Sequence, residues 1–175
     1  NAIVRNIGRL DADTPNMNVI KADVTDEERL VKLLQGTTNL ISAFSPGKNN
    51  PNVYTELLAG YLSLMRATKR AGIKRILIVG GAGTLFVKPG VTVLDAGLIP
   101  DVIIDGVRSH ARFYIDYLMK ESDIDWVFFS PARMIVHGER TGIYRLGKDD
   151  LIVGDNGESR ISVEDYAKAM IDALD

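Results

Sequence analysis

The chain contains no cysteine, and that one absence excludes disulfide bridges, thiolate metal sites, iron–sulfur clusters and a cysteine nucleophile together. Histidine is almost as scarce. His110 and His137 are the only two, too few for a histidine-based zinc site and not arranged as H-E-x-x-H. Neither sign of charge dominates: 21 basic residues face 23 acidic ones, for a net charge of -2. Such a balance supplies no basic footprint for nucleic acid or for an anionic membrane. The longest uncharged, mostly apolar stretch runs from Ile76 to Val87, well short of the ~18 residues that read as a membrane span. The serines form no G-x-S-x-G elbow, so a hydrolase triad has no anchor. The opening Asn1-Ala2-Ile3-Val4 reads like the middle of a strand and not like a basic leader. The expected compartment is the cytoplasm by default.

What is present points to one α/β domain. A length of 175 residues matches about one domain at ~150 residues each. Short β-branched runs alternate with amphipathic helical stretches, the pattern of a mostly parallel sheet covered by helices on both faces. The strands are placed at Ile3-Val4, Val19-Ile20, Leu40-Ile41, Ile76 to Val79 and Trp126 to Phe129. Four helices are expected. The first is capped by Thr25 with Glu28 and stopped at Gly36; the second runs from near Asn52 to Gly72. A third uses Val107, Ala111, Tyr114 and Leu118, and a fourth starts at Ser162 with Asp165 as its box-like partner. Two segments break the alternation. Thr84 to Asp105, with Pro89 and Pro100, reads as a long connection. Arg140 to Arg160 reads as a hairpin joining Ile143–Leu146 to Leu151–Val153.

In open parallel sheets, ligands sit beyond the carboxyl ends of the strands, where loops and free backbone amides converge. That rule selects three groups: Ala43 to Gly47, Gly80 to Thr84, and Ser130 to Arg133. Gly80-Gly81-Ala82-Gly83 is the most conspicuous, yet it lacks the Lys-Ser/Thr of a phosphate loop and carries Phe86 where a dinucleotide fingerprint needs a small residue. A packing turn and a ligand contact explain it equally well. Arg5 follows the first strand, where an arginine accommodates an adenosine 2′-phosphate; a solvated surface arginine is the alternative. Asp23 reads as a turn residue or a contact to a base. His110, on a helix, reads as a packing or surface residue, whereas His137, in a loop, is the one placed to face substrate.

In order, the segments Ala-Ile-Val-Arg-Asn, Lys-Ala-Asp-Val, Leu-Ile-Ser-Ala-Phe, Ile-Val-Gly-Gly-Ala-Gly-Thr-Leu, Asp-Trp-Val-Phe-Phe-Ser-Pro-Ala and Ile-Ser-Val-Glu-Asp-Tyr-Ala resemble the atypical short-chain dehydrogenase/reductases. The branch they resemble is the NAD(P)-binding, NmrA-like, epimerase/dehydratase-like and NADH-flavin reductase-like one. The resemblance spans the chain and implies a single Rossmann-like domain over residues 1–175, a small-molecule substrate, no nucleic-acid or membrane partner, and a monomer or homodimer. It implies NADP as cofactor, with NAD as the alternative. Arg5 would then meet the 2′-phosphate, Asp23 and Val24 would line the adenine, and Ala43 and Phe44 would pass beside a ribose. Gly80, Gly81 and Ala82 would lie near the nicotinamide, with Ser130, Pro131 and Ala132 closing that end.

Two departures qualify the resemblance. The Gly-x-x-Gly-x-x-Gly loop that precedes the first of these segments is not in the sequence, nor is the short strand that follows the last helix, so the expected domain lacks its first strand, its glycine loop and its C-terminal strand. The Tyr-x-x-x-Lys pair is replaced by Gly106 and His110, neither of which serves as its acid/base. Thr84 and His137 remain as the weak catalytic candidates. The expected activity is NAD(P)H-dependent reduction of a small organic acceptor such as a flavin or quinone; the alternative is a redox-sensing regulator that binds the dinucleotide without turnover.

Overall fold

Strand β4 (Arg75–Val79) organises the molecule. Its Ile76, Leu77 and Ile78 are fully buried, because helices cover both faces and a strand so placed is apolar at consecutive positions. The computed structural model describes residues 1–9, 16–47 and 49–174. Strands β1 (Ala2–Val4) and β2 (Val19–Lys21) precede helix α1 (Glu27–Leu34), strand β3 (Asn39–Ser42), helix α2 (Val53–Ala71) and β4. Then come β5 (Phe86–Lys88), β6 (Val91–Thr92), α3 (Ile104–Asp116), β7 (Asp125–Phe129), β8 (Met134–Val136), β9 (Arg160–Ser162) and α4 (Val163–Asp172).

The five strands expected from the β-branched runs all form, but not as one ladder. β3, β4 and β7 pair in parallel, with Ser42 opposite Ile78 and Val79 opposite Phe129. β1 and β2 make a separate parallel pair. Among the described residues no strand bridges β1 to β3. Ile76, Ile78, Trp126 and Phe128 pack with α1, α2 and α3, while Leu77, Val127 and Phe129 pack with Tyr166 and Met170 of α4. Helices therefore lie on both faces, three against one.

Local chemistry accounts for the helix ends. Gly72 closes α2 with φ of 77°, a left-handed geometry that costs glycine least. Ser162 caps α4 by accepting the Asp165 N–H at 3.0 Å. At α1 the cap is Asp26, which accepts the Arg29 N–H, and not Thr25. The Thr25 hydroxyl donates to Asp23 at 2.7 Å and its amide to the same oxygen at 2.9 Å, so the aspartate turn captures the threonine before the helix can use it.

The two irregular segments depart from expectation. Within Thr84 to Asp105 a small antiparallel hairpin forms from β5 and β6, with Gly90 at φ of 73° in its turn; the Pro89-Gly90 turn makes a hairpin possible in a stretch whose prolines suggested only a connection. Arg140 to Arg160 forms no hairpin. Its backbone pairs outward instead: Phe86 N–H donates to Asp149 O at 2.8 Å and Leu151 N–H to Phe86 O at 2.9 Å. β8 and β9, unexpected from the sequence, pair in parallel beside it.

Candidate functional site

The in-register pairing of β3, β4 and β7 brings Ala43, Gly80 and Ser130 to the same edge of the sheet, each just past a strand end. Phe129 O accepts the Gly80 N–H at 3.0 Å and also the Tyr166 hydroxyl, which ties the ends of β4, β7 and α4 together. The sequence-selected residues fall into three groups along this rim. Arg5, Asp23, Val24, Ala43 and Phe44 lie together just past the ends of β1, β2 and β3. Ser130, Pro131 and Ala132 line a cavity of about 800 Å³ together with the segment from Glu139 to Arg160. The Gly80–Ala82 turn stands between these two groups, past the end of β4.

In the first group, Arg5 reaches across from β1, its guanidinium donating to Pro46 O at 3.2 Å in the loop after β3. Asp23 holds the turn into α1. Hydrogen bonds from Thr25, backbone first, keep its carboxyl below its ordinary value, with the nearby Arg5 charge adding to them. Phe44 lies over α2 at Gly60, where an added Cβ would come within 2.3 Å of the ring. A glycine in mid-helix is unfavourable by about 1 kcal/mol relative to alanine; here it lets the aromatic ring approach the helix backbone.

The glycine turn rests on α3. An added Cβ at Gly80 would meet the Phe128 ring at 2.8 Å, and one at Gly83 would meet Val107 Cγ1 at 2.3 Å. Both glycines are thereby explained by packing. Gly81 is different: its backbone is extended, and an added Cβ would find only His110 Nδ1, at 3.4 Å.

His110 turns its other nitrogen inward. Nε2 lies 3.0 Å from the Tyr61 hydroxyl, which also sits 3.3 Å from Phe44 O and 3.4 Å from Val79 O. Tyr61 is fully buried, stacked on Phe113 at 4.6 Å between ring centroids. Burial pushes the Tyr61 phenol well above its ordinary value and pulls the His110 imidazole down to about 4. At neutral pH burial thus favours the uncharged form of both groups. Sequence reading left His110 as a packing or surface residue on its helix and did not find the pair, because which rings meet depends on how α2 packs on α3.

Of the two catalytic candidates, His137 is almost wholly exposed and contacts Glu164 at 3.3 Å. Thr84 ends the short turn Ala82–Thr84 that follows Gly81, and neither candidate lines the 800 Å³ cavity. Among the described residues no group of three or more histidine or carboxylate side chains is placed to hold a metal, and no helix is long and apolar enough to cross a membrane.

Comparison with known proteins adds the relationship. A family model described as NAD(P)H-binding matches residues 1–175. The Bacillus subtilis protein YwnB is 30% identical over 177 residues, which span 99% of this chain and 79% of YwnB. A crystal structure of an epimerase candidate from Bacteroides thetaiotaomicron superposes with a TM-score of 0.91 at 46% identity, over 99% of this chain and 77% of its own. A candidate NADH-flavin reductase from Streptococcus pneumoniae gives a TM-score of 0.82 at 29% identity, over 99% and 79%.

Proposed function

Because the chain belongs to the NAD(P)H-binding family, on its atypical short-chain dehydrogenase/reductase branch, we propose that it reduces a conjugated organic acceptor, a flavin or quinone, at the expense of NADPH. The observation that carries this reading is the state of Tyr61 and His110. They sit behind the Gly80–Thr84 turn, and burial keeps the tyrosine protonated and the histidine neutral, as it keeps protonated the phenol of Tyr166 at the end of β7. A carbinol or sugar substrate needs an acid/base near the working pH, worth ~10²- to 10⁴-fold. A conjugated acceptor delocalises the incoming charge and takes its proton from water, so it places far less demand on the protein.

The rim suits such a cofactor at both ends. Arg5 stands just past β1 with guanidinium N–H groups beyond the one given to Pro46, and a charge-assisted contact to a 2′-phosphate has no counterpart in NADH. Asp23 and Val24 would line the adenine; Gly81 and Ser130 to Ala132 would flank the nicotinamide end. The pyrophosphate cradle is not among the described residues. When bound, the cofactor supplies the hydride. The chain's own residues bind and orient: Arg5 fixes the adenosine end, the Gly81 backbone leaves room for close approach, and the 800 Å³ cavity falls in the ~300–1,000 Å³ range of small-ligand sites. That the Streptococcus pneumoniae neighbour bears the name of an NADH-flavin reductase supports a flavin as first choice of acceptor.

The absence of a working acid/base also favours a redox-sensing regulator that binds the dinucleotide without turnover. NADPH oxidation by the full-length protein, followed at 340 nm with a panel of flavins and quinones, separates the two. The reductase reading expects acceptor-dependent oxidation with saturation in both substrates. Tight NADPH binding with no oxidation across the panel overturns it in favour of the regulator.

A further inference from the structure

We propose that His110 is a ligand-contacting residue: its Nδ1 accepts a hydrogen bond from a neutral donor, an amide N–H or a hydroxyl, on the nicotinamide-riboside half of the dinucleotide, and Tyr61 fixes the tautomer that makes this possible. The inference rests on the dinucleotide reading of the rim.

The tautomer is part of the proposal, assigned from the company Tyr61 keeps. Its hydroxyl oxygen lies within 3.4 Å of two carbonyl oxygens, Phe44 O and Val79 O. Both are acceptors only, so the approach is favourable when the single hydroxyl hydrogen points toward them. The phenol oxygen then has lone pairs left, and the donor placed to meet them is His110 Nε2 at 3.0 Å. With Nε2 carrying the proton, the neutral ring presents Nδ1 as a bare acceptor.

Nothing in the protein uses that acceptor. No described residue hydrogen-bonds to Nδ1, and the buried side-chain nitrogen left without a partner among the described residues is Arg75 Nε. His110 Nδ1 is thus open and not sealed in the core. It opens beneath Gly81, where an alanine Cβ would stand 3.4 Å away and cover it. Gly80 and Gly83 answer to Phe128 and Val107; Gly81 has no such packing reason, and uncovering Nδ1 supplies one. The nitrogen lies by the turn that follows β4, between the ends of β3 and β7, where the nicotinamide half falls if Arg5 takes the adenosine end. An imidazole with a depressed affinity for protons accepts a hydrogen bond without becoming a cation, and so does not compete as a base.

Two near-isosteric variants of the full-length protein separate the nitrogens. His110→Gln places a donor near Nε2, keeping the Tyr61 contact, and removes the acceptor at Nδ1; His110→Asn places an amide oxygen near Nδ1. Dissociation constants are measured for NADPH, for its 3-acetylpyridine analogue, which lacks the amide N–H, and for 2′,5′-ADP, which lacks the nicotinamide riboside. Loss of one such hydrogen bond corresponds to about tenfold in affinity. The expected result is that His110→Gln weakens NADPH about tenfold, His110→Asn restores most of it, and 2′,5′-ADP binds all three proteins alike. If the loss vanishes with the acetylpyridine analogue, the donor is the carboxamide; if it persists, the donor is a ribose hydroxyl. Unchanged NADPH affinity in His110→Gln, equal losses in both variants, or a parallel loss of 2′,5′-ADP overturns the contact while leaving the dinucleotide reading intact. A wild-type protein that binds none of the three probes overturns both.

Discussion

Burial keeps the His110 imidazole neutral, and that has a cost on the acid side. Its ordinary value is 6.5 and its value in the fold is about 4, so between those limits the unfolded chain binds more protons than the folded one. Stability then falls as the pH drops through that window. The loss attributable to His110 amounts to about 3 kcal/mol at most. Tyr61 is the titratable group facing it; carboxylates elsewhere also lose stability in acid, but equally in wild type and mutant. Urea denaturation of wild type and His110→Gln at pH 7.0 and 5.0 is expected to show the mutant gaining ground at the lower pH, and a constant difference between them contradicts the burial argument. The glycine turn separates in the same way by residue. Gly83→Ala is expected to destabilise by about 1–3 kcal/mol through overpacking against the stiff Val107, whereas Gly81→Ala costs under about 1 kcal/mol of stability and weakens ligand binding instead. Melting temperatures and NADPH titrations on both variants check the contrast, and two equal stability losses would remove the distinction. From the sequence the glycine cluster was conspicuous but undivided, because which glycine meets which side chain depends on how α3 packs.

At the scale of elements, α4 acts as a clamp on the long segment after β8. The Asp165 carboxylate, nearly buried, accepts from Thr141 Oγ1 and from Gly142 N–H, both at 2.7 Å. Glu164 accepts from Gly138 N–H at 3.0 Å, and Ser162 Oγ donates to Glu139 O at 3.0 Å. Three residues at one helix start, Ser162, Glu164 and Asp165, thus hold the strap that lines the 800 Å³ cavity. The hydrogen bond from Thr141 above all holds the Asp165 carboxyl below its ordinary value, so acid that protonates it weakens the clamp. Asp165→Ala is expected to raise amide exchange at residues 139–146 about tenfold while β4 and β7 keep their protection, since local opening costs less than global unfolding. Exchange unaltered in that segment shows that the strap is held by something else. The sequence announced α4 and its Ser162 cap, because capping is written in adjacent residues. It did not announce the strap: the partners of Asp165 stand 23 and 24 positions away, and the alternating apolar residues that suggested a hairpin there turn to Phe86 and to solvent, with Ile143 82% exposed.

For the molecule as a whole, periodicity made the α/β class, five strands and four helices legible, while the pairing of β8 with β9 was not, since pairing between distant strands leaves no local mark. The rim residues were legible as a set because strand ends are easy to find. Their division into an Arg5 end, a Gly81–His110 centre and a Ser130 end came from the fold. The central claim is that this rim binds a nicotinamide dinucleotide with its adenosine phosphate at Arg5. Equilibrium titration of NADPH and NADH, followed by coenzyme fluorescence, onto the full-length wild-type protein and Arg5→Ala tests it most directly. The account predicts saturable binding that favours NADPH, with the preference lost and NADH affinity kept in the mutant. Failure of the wild type to bind either coenzyme, or an undiminished NADPH preference in Arg5→Ala, contradicts it.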